Sequence, residues 1–245
     1  MVGMLLAAGH EVRIASRRLQ PTGEPRPYAW VTVDYRSGVG LTEAIAGVDA
    51  VVHCAGDLRG EVERQLVGAA RGAGSPHLVH ISIVGVDRVP LGFYRGRLAA
   101  ERVIENSGLP WTILRATQFH DLIRFLLAVL ARSPVMVVPD FSFQPIDVRE
   151  VAGRLVELAT DAPAGRVPDI GGPEARHTGE LARTYLRSVG RRRLVLPVRL
   201  PGKVFRGYQQ GGHLTPDRAV GRITFEEYLA EHPAPASLSY RSRQR

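Results

Sequence analysis

The sequence predicts an α/β protein with a doubly wound parallel sheet and a smaller C-terminal lobe. Short apolar segments alternate with helix-forming segments as far as Pro134, which is the pattern of repeated strand–helix units. One of them, DAVVHCAG, is almost continuously apolar, as a strand is when helices cover both faces of a parallel sheet. After Pro134 the elements become shorter and richer in proline and glycine, which indicates a separate lobe.

The elements follow one another in a regular order. A helix-forming run from Val2 to Ala8 ends at Gly9, because glycine takes the left-handed conformation that closes a helix at little cost. The predicted strands cover residues 10–16, 29–35, 49–56, 77–85 and 111–118. The predicted helices between and after them cover residues 41–48, 61–73, 95–106 and 122–130.

The composition is that of a globular chain, with 245 residues of which 44% are hydrophobic and 23% are charged. The single cysteine, Cys54, cannot form an internal disulfide, so a cytoplasmic location is expected. No apolar run approaches the roughly 18 residues of a membrane span. The net charge is +8, but the basic residues, all arginine except Lys203, are interleaved with Asp and Glu. We therefore expect neither a nucleic-acid partner nor a membrane partner.

Four stretches of the sequence together resemble one family. They are AAGHEVRIASRR, GVDAVVHCAG, HLVHISIVGVDRVPLGFYRGRLAAERVIENSGLPWTILRATQFHD and FQPIDVREVAGRLVELA, and they occur in the family's order and spacing. On these motifs the chain is similar to the atypical short-chain dehydrogenases/reductases of the NmrA-like, NAD(P)-binding kind. The resemblance implies a Rossmann-like sheet that binds a dinucleotide and a variable C-terminal lobe that selects the substrate.

The resemblance also implies how the chain is organised into domains. It implies that residues 1–134 form the NAD(P)-binding domain and that residues 135–232 form a smaller lobe that contributes the substrate pocket. Residues 233–245 are expected to be a disordered basic tail. In the family, a first strand and a Gly-x-x-Gly-x-x-Gly turn precede the first helix, and neither is found in this sequence. We therefore expect the sequence as it stands to bind the cofactor poorly.

Several residues resemble the family's dinucleotide site. Arg17 and Arg18 end a strand beside the position of the adenosine ribose, where guanidinium groups suit a 2′-phosphate, so NADP(H) is expected in preference to NAD(H). Asp34 resembles the acidic residue beside the adenine. Ala55 and Gly56 resemble the small residues over which the cofactor lies. The alternatives are two solvated arginines in an arginine-rich protein and an aspartate that caps a turn.

The family's proton relay is altered in this sequence. Classical short-chain reductases combine a serine with a Tyr-x-x-x-Lys pair, in which the tyrosine transfers the proton. Ser82 ends its strand in the position of that serine, but Phe93 and Arg97 occupy the Tyr-x-x-x-Lys spacing. Arg97 keeps the positive charge and is expected to contact the cofactor, while Tyr94 lies about 100° away around the helix. The catalytic candidates are therefore Ser82, Tyr94 and Arg97.

Two function classes remain open. The first is an oxidoreductase that moves a hydride between NADP(H) and a small organic substrate, with Thr117, Gln118 and Phe119 lining the nicotinamide end. The second is a non-catalytic NADP(H)-binding redox sensor or regulator, which the altered Tyr-x-x-x-Lys pair favours. The eight histidines show no metal-ligand spacing, so no metal is predicted.

Overall fold

The computed structural model describes residues 1–20, 26–57 and 59–233, so all but the first residue of the predicted tail lies outside the described residues. The helices are α1 (Val2–Ala7), α2 (Leu41–Ile45), α3 (Glu61–Gly72), α4 (Gly92–Glu105), α5 (His120–Leu130), α6 (Val148–Thr160), α7 (Thr178–Ser188), α8 (Lys203–Gln209) and α9 (Phe225–Glu231). The strands are β1 (Arg13–Ser16), β2 (Ala29–Thr32), β3 (Ala50–His53), β4 (His77–Ile83), β5 (Trp111–Ala116), β6 (Val135–Pro139), β7 (Ser142–Phe143), β8 (Gly165–Arg166), β9 (Arg176–His177) and β10 (Leu194–Val198). The predicted alternation up to α5 is confirmed.

Four of the described strand pairs are parallel: β1 with β2, β3 with β4, β5 with β8, and β6 with β10. β1 pairs with β2, and a separate four-stranded sheet has the order β3-β4-β5-β8. β6 pairs in parallel with β10, and the short strands β7 and β9 pair in antiparallel fashion. The parallel pair of β3 and β4 needs a crossover connection, which α3 provides. The predicted α/β class with a parallel sheet is confirmed. Within the described residues no ladder joins β1 to β3.

The chain forms two compact units. The first unit combines three segments, Met1–Ser82, Gly92–Leu114 and Ala152–Val167. One of its cores packs Leu66 and Ala70 of α3 against Leu78 of β4, and all three side chains are almost completely buried. The spacing of four residues between Leu66 and Ala70 places both on one face of α3, as in an amphipathic helix.

The second unit combines Ile83–Leu91, Arg115–Val151 and the described residues from Pro168 onward. Its core joins α5, β6, α7 and α9, with Leu127, Met136 and Leu181 buried at the centre. These units are defined by packing and not by a ligand. The assignment of residues 1–134 to cofactor binding and of residues 135–232 to substrate binding therefore stays a prediction.

A histidine is fully buried among aromatic rings in the second unit. The ring of His213 lies 4.5 to 5.8 Å from the rings of Phe141, Phe143 and Tyr208. Its Nε2 lies 2.7 Å from the carbonyl oxygen of Ser142. Burial lowers the pKa of His213 from 6.5 to about 4. The folded chain therefore holds this ring neutral at pH values where a free histidine is protonated.

We expect this histidine to destabilise the fold as the pH falls. Because the pKa of His213 is lower in the folded than in the unfolded chain, the unfolded chain binds the proton first. The free energy of unfolding should therefore fall by about 2 kcal/mol between about pH 7.5 and about pH 5 from this group. Urea unfolding at both pH values checks this, with His213→Gln as the variant that can donate a hydrogen bond without titrating. An equal pH dependence in both proteins would contradict the prediction.

No helix among the described residues is both long enough and apolar enough to cross a membrane. In the same part of the chain, no group of three or more His, Cys, Asp or Glu side chains is arranged to hold a metal ion.

Candidate functional site

The loop after β1 exposes two guanidinium groups. Arg17 and Arg18 directly follow Ser16, and both are exposed. Hydrogen bonds of the Arg18 backbone hold the loop. The N–H of Arg18 donates to Ser16 Oγ at 3.2 Å, and the carbonyl of Arg18 accepts from Trp30 Nε1 at 3.2 Å. The carboxyl end of β1 therefore presents positive charge to solvent.

The carboxylate of Asp34, after β2, closes a turn. It accepts hydrogen bonds from the N–H of Arg36 at 3.0 Å and from the hydroxyl of Ser37 at 2.8 Å. The hydrogen bond from the Arg36 N–H, together with those from Ser37, lowers the pKa of Asp34. These contacts agree with the alternative interpretation, in which Asp34 caps a turn. Its contact with adenine stays a prediction.

The end of β3 closely approaches α4. Arg97 Nη1 donates to the carbonyl of Ala55 at 3.0 Å. A Cβ atom at position 56 would lie 2.6 Å from Arg97 Nη1 and 3.1 Å from Glu63 Oε1, so glycine leaves room for both side chains. Burial lowers the pKa of the Arg97 guanidinium, and the charges of Glu63 and Asp57 oppose that shift. The structure thus brings together three of the predicted residues, Ala55, Gly56 and Arg97.

Asp57 caps the N-terminus of α3. Its carboxylate accepts from four backbone N–H groups, at 2.6 to 3.2 Å, which belong to Arg59, Gly60, Glu61 and Val62. Burial raises the pKa of Asp57, but these hydrogen bonds outweigh it and lower the pKa overall. A helix N-terminus is a ready anion site, and here the protein's own carboxylate fills it.

A buried acid–histidine pair, which the sequence did not predict, lies at the same end of β3. Glu63 is completely buried, and its Oε1 lies 3.0 Å from His53 Nε2. Its Oε2 has no hydrogen-bond partner among the described residues. The rings of His53 and His80, which are register partners in β3 and β4, stack at 5.1 Å. The one sequence signal was a carboxylate between Val62 and Leu66 on the apolar face of α3.

Burial, together with the charges of His53 and Arg97, holds the pKa of His80 well below its ordinary value. The His80 ring is therefore neutral at physiological pH. Perturbed groups of this kind concentrate at functional sites, although ion pairs that serve only the fold produce them as well.

The candidates for proton transfer differ in their burial and contacts. Ser82, at the end of β4, is buried, and its Oγ has no hydrogen-bond partner among the described residues. Phe93 and Arg97 share one face of α4, with the Arg97 guanidinium carbon 5.4 Å from the centre of the Phe93 ring. Tyr94 is buried, whereas Phe93 is 45% exposed. The catalytic roles of Ser82, Tyr94 and Arg97 stay predictions.

The three predicted residues after β5 belong to the second unit. Thr117 is buried, and its Oγ1 accepts from the N–H of Gly172 at 3.3 Å. Gln118 is buried as well, and Phe119 is the residue before the first turn of α5. Their contact with a nicotinamide stays a prediction.

The carboxyl ends of the strands in the first unit fit parts of a dinucleotide. Ligands of parallel α/β sheets bind outside these ends. The exposed guanidinium groups of Arg17 and Arg18 suit a phosphate, and the bare Cα of Gly56 allows close approach. The hydroxyl of Ser82, which has no hydrogen-bond partner in the described part of the chain, is a donor and acceptor that a bound molecule could use.

These features define an α/β protein of the Rossmann type, the class that binds nicotinamide and flavin dinucleotides. The sequence matches the family described as NAD(P)H-binding over residues 1–138, more than half of the chain. The chain belongs to this NAD(P)H-binding family. The predicted resemblance to NAD(P)-binding proteins is thereby confirmed.

Individual proteins are also similar to this chain. The (4-alkanoyl-5-oxo-2,5-dihydrofuran-3-yl)methyl phosphate reductase of Streptomyces griseus is 28% identical over 197 residues, which cover 78% of this chain and 70% of that protein. The NADPH-dependent quinone oxidoreductase QOR2 of Escherichia coli has a similar structure, with a TM-score of 0.76, 16% identity and 94% of each chain covered. The Citrobacter sp. triphenylmethane reductase, solved with NADP(H), has a TM-score of 0.70, 17% identity and 89% of each chain covered. At these identities, the two structural matches show a shared fold.

Proposed function

We propose that this protein is an NADP(H)-dependent oxidoreductase of the cytoplasm that transfers a hydride between the nicotinamide and a small organic substrate. The observation that carries the proposal is the exposed Arg17–Arg18 pair at the carboxyl end of β1. Membership of the NAD(P)H-binding family supports it, as do the relatives, three of which are named reductases or oxidoreductases.

In this proposal the chain holds the cofactor from several strand ends. Arg17 and Arg18 bind the 2′-phosphate, and Gly56 lets the cofactor approach the backbone beside Ala55. Arg97, already fixed on the Ala55 carbonyl, offers its remaining N–H groups to a ribose hydroxyl. NADPH supplies the hydride when it is bound. Ser82 provides a hydroxyl that can orient the substrate.

The relatives suggest the substrate class. A quinone and an alkanoyl-oxo-dihydrofuran are both electron-poor molecules with conjugated carbonyl groups, which accept a hydride readily. We infer that the substrate here is a small molecule of that chemistry. A proton must follow the hydride, and Tyr94 is the candidate donor in the first unit, although it is buried in the structure.

The alternative function is a non-catalytic NADP(H) sensor. Phe93 favours it, because the phenyl ring stands at the tyrosine position of the Tyr-x-x-x-Lys spacing and has no proton to transfer. Loss of reduced-nicotinamide absorbance on mixing the protein with NADPH and a small quinone separates the two functions. Turnover supports the oxidoreductase, and NADPH binding without turnover supports the sensor.

The double variant Arg17→Ala with Arg18→Ala tests the cofactor preference. We expect its Kd for NADPH to rise about ten- to a hundredfold, because a charge-assisted bond to phosphate contributes about 1.5–3 kcal/mol. The Kd for NADH should change little. Isothermal titration calorimetry measures both. Arg191→Ala with Arg192→Ala removes the same charge from an exposed pair in the second unit and is the matched control. Equal affinities of the wild type for the two cofactors would contradict the preference.

A further inference from the structure

The second unit exposes a set of aliphatic side chains that we name the aliphatic face. Its members are 38 to 66% exposed and lie on α5, β6 and β10: Leu126, Val129, Val135, Val137, Leu194 and Leu196. The register pairs Leu194 with Val135 and Leu196 with Val137, so these four side chains stand on one side of the sheet. A shallow cavity of about 430 Å³, which is lined by Val129, Val135 and Val137 among others, joins α5 to that sheet.

The opposite side of β6 is already packed. Met136 and Val138 are buried in the core of the second unit, while Val135 and Val137 point the other way. A strand with one solvated side normally alternates apolar and polar residues. β6 is apolar on both sides, which is the pattern of a strand that packs against other protein on both sides.

The face is large enough for the centre of a dimer interface. From its exposed fractions, the six residues expose roughly 500 Å² of mainly apolar surface, near the upper range for a monomer. A stable interface buries about 800 Å² on each partner, and homodimer interfaces are more apolar than others. The six members of the face are all leucine or valine, so its contribution to an interface is apolar burial.

The charges around the face fit a two-fold arrangement. Arg132, Arg191, Arg192 and Arg193 are exposed at the amino ends of β6 and β10, and Asp140 follows the carboxyl end of β6. A two-fold axis that lies in the plane of the interface and perpendicular to the strands makes the strands of two stacked copies run in opposite directions. In that arrangement the arginine cluster of each copy lies near Asp140 of the other copy. Arg199 and His177 already contact Asp140, so the apolar contact is the main source of affinity.

We propose that a second copy of this chain covers the aliphatic face, so that the protein is a two-fold dimer whose β6–β10 sheets stack on each other. This inference is independent of the proposed function, because it uses no residue of the candidate dinucleotide site.

Sedimentation velocity tests the dimer. We expect the wild type to sediment as a dimer at about 10 µM, and Leu196→Glu to raise the dissociation constant at least about a hundredfold. Val39→Glu introduces the same charge at an exposed aliphatic position in the first unit, 68% exposed, and should leave the dimer intact. Leu194→Glu, at the most exposed position of the face, is the second variant, and thermal unfolding shows whether each variant is folded.

Three results would overturn the proposal. One is a wild-type protein that stays monomeric up to about 100 µM, as it would if residues 234–245 or an unlike partner covered the face. Another is a dimer that persists in folded Leu196→Glu and Leu194→Glu. The last is a Val39→Glu variant that dissociates as much as Leu196→Glu does. That result would mean that the added charge, and not its position on the aliphatic face, causes the dissociation.

Discussion

Gly172→Ala is expected to lower the free energy of unfolding by about 3–5 kcal/mol. A Cβ atom at this position would lie 1.8 Å from the carbonyl oxygen and 2.5 Å from the carbonyl carbon of Pro145. Both are backbone atoms, so no side-chain rotation relieves the overlap. The same glycine accepts a hydrogen bond on its carbonyl from the buried Gln144 at 2.9 Å, so moving it also disturbs that contact. Urea unfolding at neutral pH measures the loss.

The matched control is Gly68→Ala. Gly68 lies in α3, and a Cβ atom there meets nothing within 4 Å. Alanine is the better helix former by about 1 kcal/mol, so this variant should be slightly more stable than the wild type. Similar stabilities of the Gly172→Ala variant and the wild type would show that the packing around Pro145 is not as tight as described.

His53→Leu is expected to lower the free energy of unfolding by about 3–5 kcal/mol, which is the second large effect. Glu63 is completely buried, and His53 Nε2 is the hydrogen-bond partner of its Oε1. Leucine removes that partner and leaves a buried carboxylate whose other oxygen already has none among the described residues. Removing the hydrogen-bond partner of a buried polar group costs far more than the bond contributes when both members are present. Chemical unfolding measures the loss.

A double variant separates this cause from simple loss of packing. His53→Leu with Glu63→Leu removes both members, so we expect it to recover most of the stability lost in His53→Leu alone. His10→Leu replaces an exposed histidine and should change the stability by less than about 0.5 kcal/mol. If the double variant is less stable than His53→Leu, then the carboxylate is not the source of the effect.

The order of the elements was predictable from the sequence because it depends on local chemistry. The predicted helix over residues 61–73 is α3 (Glu61–Gly72), and the predicted strand over residues 77–85 contains β4 (His77–Ile83). Helices and strands are set by apolar spacing and by glycine at the ends, and both are visible in a window of a few residues. Past Pro134, where the elements are short, the sequence predicts only a smaller lobe without defined elements. Pairings such as β6 with β10 join residues about 60 positions apart, and no local pattern specifies them.

The candidate site was predictable only in part. Arg17, Arg18, Ala55 and Gly56 were selected by their resemblance to the family's motifs, and in the structure they follow β1 and β3. The pair of His53 and Glu63 was missed because its members lie on a strand and a helix, and each alone looks like an ordinary polar residue. The contact between Arg97 and Ala55 joins residues 42 positions apart, so it could not be predicted from the sequence either.

By itself, the sequence determined that this chain is an α/β protein of the NAD(P)H-binding family, with an arginine pair at the end of its first strand. Only the tertiary structure decided which of its polar groups are buried, that Asp57 closes the N-terminus of α3, and that Tyr94 is covered while Phe93 is exposed. The physical reason is the separation along the sequence between the residues that determine each property. Secondary structure and motif spacing depend on neighbours within a few residues, whereas burial and hydrogen bonding depend on segments that meet only after the chain has folded.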